Sequence, residues 1–165
     1  MFQRPRLQFR RGRQRSISEH SVNASAIASH VVDPILHLSL PVRDLAPARA
    51  FYVDVLGCAP GRQGDDGMDV WFFGLQLTLQ LRPDEVVPEG RQGVRHFGVT
   101  VDRATLDQLL TRLEASPVRW IEGLSTDTVG TFRGKTSAKI ADPSGNVIEL
   151  KSYDDPYAAL GLVDD

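Results

Sequence analysis

The chain has 165 residues, a formal net charge of −2, 41% hydrophobic residues and 24% charged residues, the balance of a globular domain large enough to bury most of its apolar surface. No run approaches the roughly 18 apolar residues of a membrane-spanning helix. The single cysteine, Cys58, excludes an internal disulfide and any cysteine-based zinc motif. Any metal must therefore be held by His, Gln, Glu or Asp.

The charge is unevenly placed. Residues 1–30 carry six arginines (Arg4, Arg6, Arg10, Arg11, Arg13, Arg15) against Glu19 alone, which leaves the remainder acidic. This Arg/Ser-rich, acid-poor tail reads as a flexible leader, with a transit peptide or a nucleic-acid-binding arm as alternatives. It stands outside the fold expected for residues 31–153, as does a C-terminal tail over 154–165.

From Ile35 the pattern is strand, helix, then strands. In "ILHLSLPV" Leu36, Leu38 and Leu40 share one face, while His37 and Ser39 share the other. A helix follows between Asp44 and Gly57, with Ala50, Phe51, Val53, Val55 and Leu56 as its apolar positions. A short strand near Cys58 to Gln63, the stretch "DVWFFG" and the alternating "LQLTLQL" complete a βαβββ module over 35–82. In the last of these, Leu75, Leu77, Leu79 and Leu81 oppose Gln76, Thr78 and Gln80.

The order then repeats over 94–152. In "RHFGVTV" Phe97, Val99 and Val101 oppose His96, Gly98 and Thr100. A helix with the stripe Leu106, Leu109, Leu110 and Leu113 follows, then "VRWIE", "TSAKIAD" and "VIELKSY". The "DPSGN" turn joins the last two strands, and "GLSTDTVGTFRGK" reads as a long turn region. "HLSLPVRDLAPARAF" lies over "HFGVTVDRATLDQLL", so His37 and His96 hold equivalent positions. Gln80 and Glu149 are taken as equivalent near the ends of the two last strands. Modules related by a pseudo-twofold axis would bring two imidazoles, a carboxylate and an amide oxygen together, a donor set for one divalent ion (Fe, Mn, Ni, Co or Zn) with positions left open.

The stretches "HLSLPVRDLAPARAFYVDVLG", "FFGLQLTLQL", "RHFGVTV" and "DPSGNVIELKSY" resemble the vicinal oxygen chelate superfamily. That superfamily includes glyoxalase I, extradiol dioxygenases, fosfomycin-resistance enzymes and bleomycin-binding proteins. The resemblance covers Ile35 to Tyr153. It implies an α+β fold of two tandem βαβββ modules forming a curved mixed sheet around a central cleft. It also implies metal ligands His37, Gln80, His96 and Glu149. Where Gln80 stands, the most similar dioxygenase-like group carries histidine.

The expected function is a metal-dependent enzyme acting on a small molecule by bidentate oxygen chelation, dioxygenase-like or glyoxalase/lyase-like. The alternative is a non-catalytic antibiotic-type binder of the bleomycin-resistance kind, against which the retained His37, His96 and Glu149 argue. Extradiol chemistry would need further histidines, and the remaining two, His20 and His30, lie in or beside the tail. Glyoxalase-type isomerisation would use Glu149 as the base at the metal, but Gln80 holds the place of a second acid. Glu149 and Tyr153 are the candidate catalytic residues, with terminal packing the other reading of Tyr153. Trp71, Phe73, Thr78, Arg133 and Lys139 are the candidate substrate contacts, against core packing for the aromatics and a solvated loop for Arg133. A cytoplasmic homodimer with no nucleic-acid or membrane partner completes the expectation.

Overall fold

The computed structural model describes residues 34–129 and 134–160. The Arg-rich tail, Arg133 and residues 161–165 lie outside them.

Among the described residues, eight strands and three helices follow the expected order. The first module holds β1 (His37–Val42), α1 (Leu45–Arg49), a π-helical segment (Ala50–Val55), β2 (Ala59–Gln63), β3 (Gly67–Phe72) and β4 (Leu75–Leu81). The second holds β5 (Phe97–Thr100), α2 (Arg103–Glu114), β6 (Arg119–Asp127), β7 (Lys135–Ala141) and β8 (Val147–Tyr153), with α3 (Pro156–Leu160) after it. The strands form two four-stranded mixed sheets, β1-β4-β3-β2 and β5-β8-β7-β6. In each, the first strand runs parallel to the fourth, and the fourth is antiparallel to the third. The α+β architecture of two tandem βαβββ modules is thus the one expected.

Local chemistry sets the helix ends. Asp44 caps α1 by accepting from the Ala46 amide, and Asp102 caps α2 by accepting from the Thr105 amide. Gly57 ends the first helical run in the left-handed region, at φ 77°. Three details depart from the strand and helix patterns. The π-helical segment widens the spacing of the first stripe, so Ala48, Phe51, Tyr52 and Leu56 are buried while Ala50 faces solvent. Leu36 precedes β1 and is 77% exposed, because strand parity begins only at His37. Gly123 to Asp127, expected as turn, continue β6.

One core serves both modules. Met68, Val70, Phe72, Leu77 and Leu79 of the first sheet share a cluster with Ala138, Ile140, Ile148 and Leu150 of the second. The α2 stripe of Leu106, Leu109, Leu110 and Leu113 closes that cluster, each leucine contributing about 1.5–3 kcal/mol by burial. Polar contacts also cross the seam between the modules. Tyr52 Oη donates to Asp142 Oδ2 (3.0 Å), Arg43 N donates to Ser144 Oγ (2.9 Å), and Asn146 Nδ2 donates to the Pro41 carbonyl (3.1 Å). By strand alternation the polar face of each sheet turns away from this shared core.

Candidate metal centre

His96 and Glu149 meet on the polar face of the second sheet. Glu149 is nine-tenths buried on the central strand β8, and its Oε2 lies 3.5 Å from His96 Nε2 and 3.4 Å from Lys151 Nζ. His96 Nδ1 lies 2.8 Å from the Val94 carbonyl. A carbonyl can only accept, so Nδ1 carries a proton and Nε2 faces the carboxylate. In the neutral ring Nε2 presents a lone pair toward the carboxylate, so the two groups face each other as a pair of donors for a cation. A metal-binding histidine has this arrangement, its far ring nitrogen donating to a backbone carbonyl. An imidazole nitrogen and a carboxylate are donors of the type a divalent ion takes, and the Lys151 ammonium shares the carboxylate with them.

His37 does not join this pair within one chain. It lies at the exposed start of β1, opposite Gln76 of β4. Among the described residues, no group of three or more His, Cys, Asp or Glu side chains stands close enough to hold a metal ion. The physical cause is the shared core: with both apolar faces turned inward, the His37 face and the His96 face point outward from it. Among the described residues, one chain by itself does not assemble the expected ligand set.

Strand register corrects one equivalence. Ser39 of β1 pairs with Thr78 of β4, and Gly98 of β5 pairs with Glu149 of β8. With His37 over His96, the counterpart of Glu149 is therefore Thr78, whereas Gln80 sits one pleat further on, opposite Pro41. Sequence spacing missed this because the two modules differ in loop length, and only the ladder fixes which residues face each other. Gln80 Nε2 donates to Ser39 Oγ at 2.5 Å.

The remaining candidates fall in different places. Trp71 is 38% exposed and lies in one row with Gln76 and His37 across β3, β4 and β1. Phe73 does not continue that alternation, because it sits in the β3–β4 turn at φ 49° and packs edge-on against Phe72. Lys139 lies opposite Glu149 and donates to Glu122 Oε2 at 2.7 Å. Tyr153 shares the face of Glu149 but stands four residues beyond it, roughly 13 Å along the strand, with the Lys151 ammonium 5.8 Å from its ring centre. Beside His96 an open cavity of about 660 Å³ is lined by Arg95, Ile121, Glu122, Lys139 and Val147 among others.

Sequence reasoning passed over Asp69. It lies on the polar face of β3, is 6% exposed, and accepts from Thr78 Oγ1 (2.6 Å), Arg62 Nε (3.2 Å) and Gln76 Nε2 (3.3 Å). These contacts, the Thr78 hydroxyl foremost, hold its carboxyl below the usual carboxylate range. The available signal was an acid sharing the parity of Trp71 in an otherwise apolar strand.

The chain belongs to the Glyoxalase/Bleomycin resistance protein/Dioxygenase superfamily, whose family model matches residues 34–150. It is 28% identical over 120 residues to metallothiol transferase FosB of Shouchella clausii (strain KSM-K16), a match covering 73% of this chain and 80% of that protein. It is 33% identical to a glyoxalase/bleomycin resistance protein/dioxygenase from Alicyclobacillus acidocaldarius, whose crystal structure superposes with a TM-score of 0.69 over 76% of this chain and 96% of that one. The fosfomycin resistance protein FosX from Listeria monocytogenes shares the fold at 15% identity, with a TM-score of 0.62 over 78% of this chain and 99% of that one. No helix among the described residues is long and apolar enough to cross a membrane.

Proposed function

We propose that the chain is a divalent-metal-dependent enzyme acting on a small molecule through two neighbouring oxygens, and that each centre takes His96 and Glu149 from one copy and His37 from a second. The observation that carries this reading is the facing of His96 Nε2 and Glu149 Oε2 at 3.5 Å, with Nδ1 committed to the Val94 carbonyl. The outward direction of the two polar faces supports a second copy, because a twofold dimer lets the His37 face of each chain meet the His96 face of the other.

When bound, the ion acts as a Lewis acid toward the two substrate oxygens. The protein's own groups do the rest. Val94 holds His96 in one tautomer, and Glu149 supplies the anionic donor. Lys151 and Lys139 keep ammonium groups beside it, where negative charge develops on a polarised oxygen. Trp71 offers an apolar wall in the row of His37. Lewis-acid addition or isomerisation suits these residues better than oxygen insertion, because beyond the two ligands the sequence holds only His20 and His30, both outside the described residues. The metallothiol transferase relative supports a transfer reaction of this kind.

Calorimetric titration with Mn(II) tests the reading on the wild type, His37→Ala and Glu149→Gln. The wild type should bind about one ion per chain, and each variant should bind more weakly by on the order of tenfold or more. Refolding the two variants together should restore strong binding at one site per mixed dimer, since one of its two centres regains every ligand. A mixture as weak as its components, or a monomer by light scattering at micromolar concentration, would overturn the shared centre.

A further inference from the structure

We infer that Thr78 is the fourth group facing the centre, and that its hydroxyl, oriented by the buried Asp69, accepts a hydrogen bond from a protonated oxygen of the bound substrate. This rests on the metal-centre reading above and assigns a substrate class to it.

The two sheets carry the same row. In the second, Gly98, Glu149 and Lys139 stand side by side on β5, β8 and β7. In the first, Ser39, Thr78 and Asp69 stand side by side on β1, β4 and β3. Each histidine lies two residues before the first member of its row, so His37 is diagonal to Thr78 as His96 is to Glu149. The 3.5 Å approach of His96 and Glu149 demonstrates that side chains on this diagonal meet at their tips. Gln80 is a full pleat away, where its Nε2 donates to Ser39 Oγ.

The chemistry of the row differs between the sheets. Where the second carries a carboxylate followed by an ammonium, the first carries a hydroxyl followed by a carboxylate. Asp69 is satisfied from three sides and nearly excluded from water, so it stays a carboxylate and an acceptor. The single proton of Thr78 is committed to it at 2.6 Å. Thr78 Oγ1 is thereby left with lone pairs alone to offer the cleft, and a lone pair selects a donor. The substrate that fits keeps one protonated oxygen beside its chelating oxygen, as an α-hydroxy acid or α-hydroxy ketone does. A fully deprotonated dicarboxylate would meet repulsion there.

A gain-of-ligand experiment separates Thr78 from Gln80. A carboxylate is placed at each position in turn, as Thr78→Glu in an Asp69→Asn background and as Gln80→Glu, and Mn(II) affinity is measured by calorimetry. The Thr78 variant should bind on the order of tenfold more tightly, because an added anionic ligand raises cation affinity, and the Gln80 variant should match the wild type. The reverse ranking overturns the assignment while leaving the metal centre standing. A wild type that binds no Mn(II) overturns both. As a second readout, glycolate and oxalate are titrated into Mn(II)-loaded protein. Thr78→Val should weaken glycolate several-fold without weakening oxalate, and Thr78→Ser should restore glycolate binding. Equal loss of both ligands, or none, overturns the acceptor role.

Discussion

Gly98 faces Glu149 across the β5–β8 ladder, and a Cβ on Gly98 would overlap the Glu149 backbone carbonyl. Glycine is required there by close approach, since its backbone is ordinary strand. The strand that carries His96 into place can lie this near β8 only without a side chain at that point. Gly98→Ala should therefore push β5 from β8 and cost roughly 1–3 kcal/mol, the range for overpacking. Urea unfolding reads that loss, and Mn(II) affinity should fall with it because His96 moves away from Glu149. A stability equal to wild type would mean the ladder yields without strain.

Metal should stabilise the fold by mass action. At free Mn(II) a hundredfold above Kd the gain is about 2.7 kcal/mol, which raises Tm on the order of 10 °C for a domain of this size. Glu149→Gln should show little of that rise at the same Mn(II) concentration. Differential scanning calorimetry with and without the ion decides it.

Tyr52 links the modules through its buried hydrogen bond to Asp142. Burial first, and then the Asp142 charge, raise its phenol pKa well above 10. The unfolded chain ionises near pH 10 while the folded chain resists, so this contribution is complete below pH 10 and is lost as pH rises beyond it. Tyr52→Phe should cost about 1–2 kcal/mol at neutral pH. Its stability should then fall less steeply than the wild type's above pH 10, as chemical denaturation at stepped pH would record.

Cys58 is 6% exposed, and burial pushes its thiol up to about 12. Since the thiolate is the reactive form, the folded protein should resist a thiol-reactive disulfide reagent at pH 8. Denaturant should release the thiol for complete reaction. Rapid labelling of the folded chain would contradict the burial.

Asp69 carries the opposite sign. Its contacts lower its pKa, so its stabilisation is present above about pH 4 and is lost as pH falls through the folded value. Asp69→Asn should start less stable at neutral pH and lose less stability than the wild type between about pH 5 and 3. Parallel acid titrations followed by circular dichroism test this, and equal losses would remove Asp69 from the acid response.

Much of this was legible in the chain itself. The alternation of "LQLTLQL" placed Leu77 and Leu79 in the core with Gln76, Thr78 and Gln80 opposite them, because a strand has a period of two whatever it packs against. The stripe of α2 was equally plain, since every one of its four leucines is buried. The π-helical segment was not, because an extra residue per turn leaves no mark in composition. Glu149 was found as an acid inside an apolar strand, and Asp69, an acid in the same kind of setting, was passed over because "DVWFFG" places it where a strand begins.

The sequence alone determined the two modules, their parity and their membership in the fold, because these depend on local periodicity and on a repeat that aligns with itself. Tertiary structure decided what parity could not: which residue stands beside which, and which face meets which. Only the ladder set Thr78, and not Gln80, in the place of Glu149. Only the burial of both apolar faces in a single core turned His37 away from His96 and Glu149, since each sheet has one oily face and a shared core can form in no other direction.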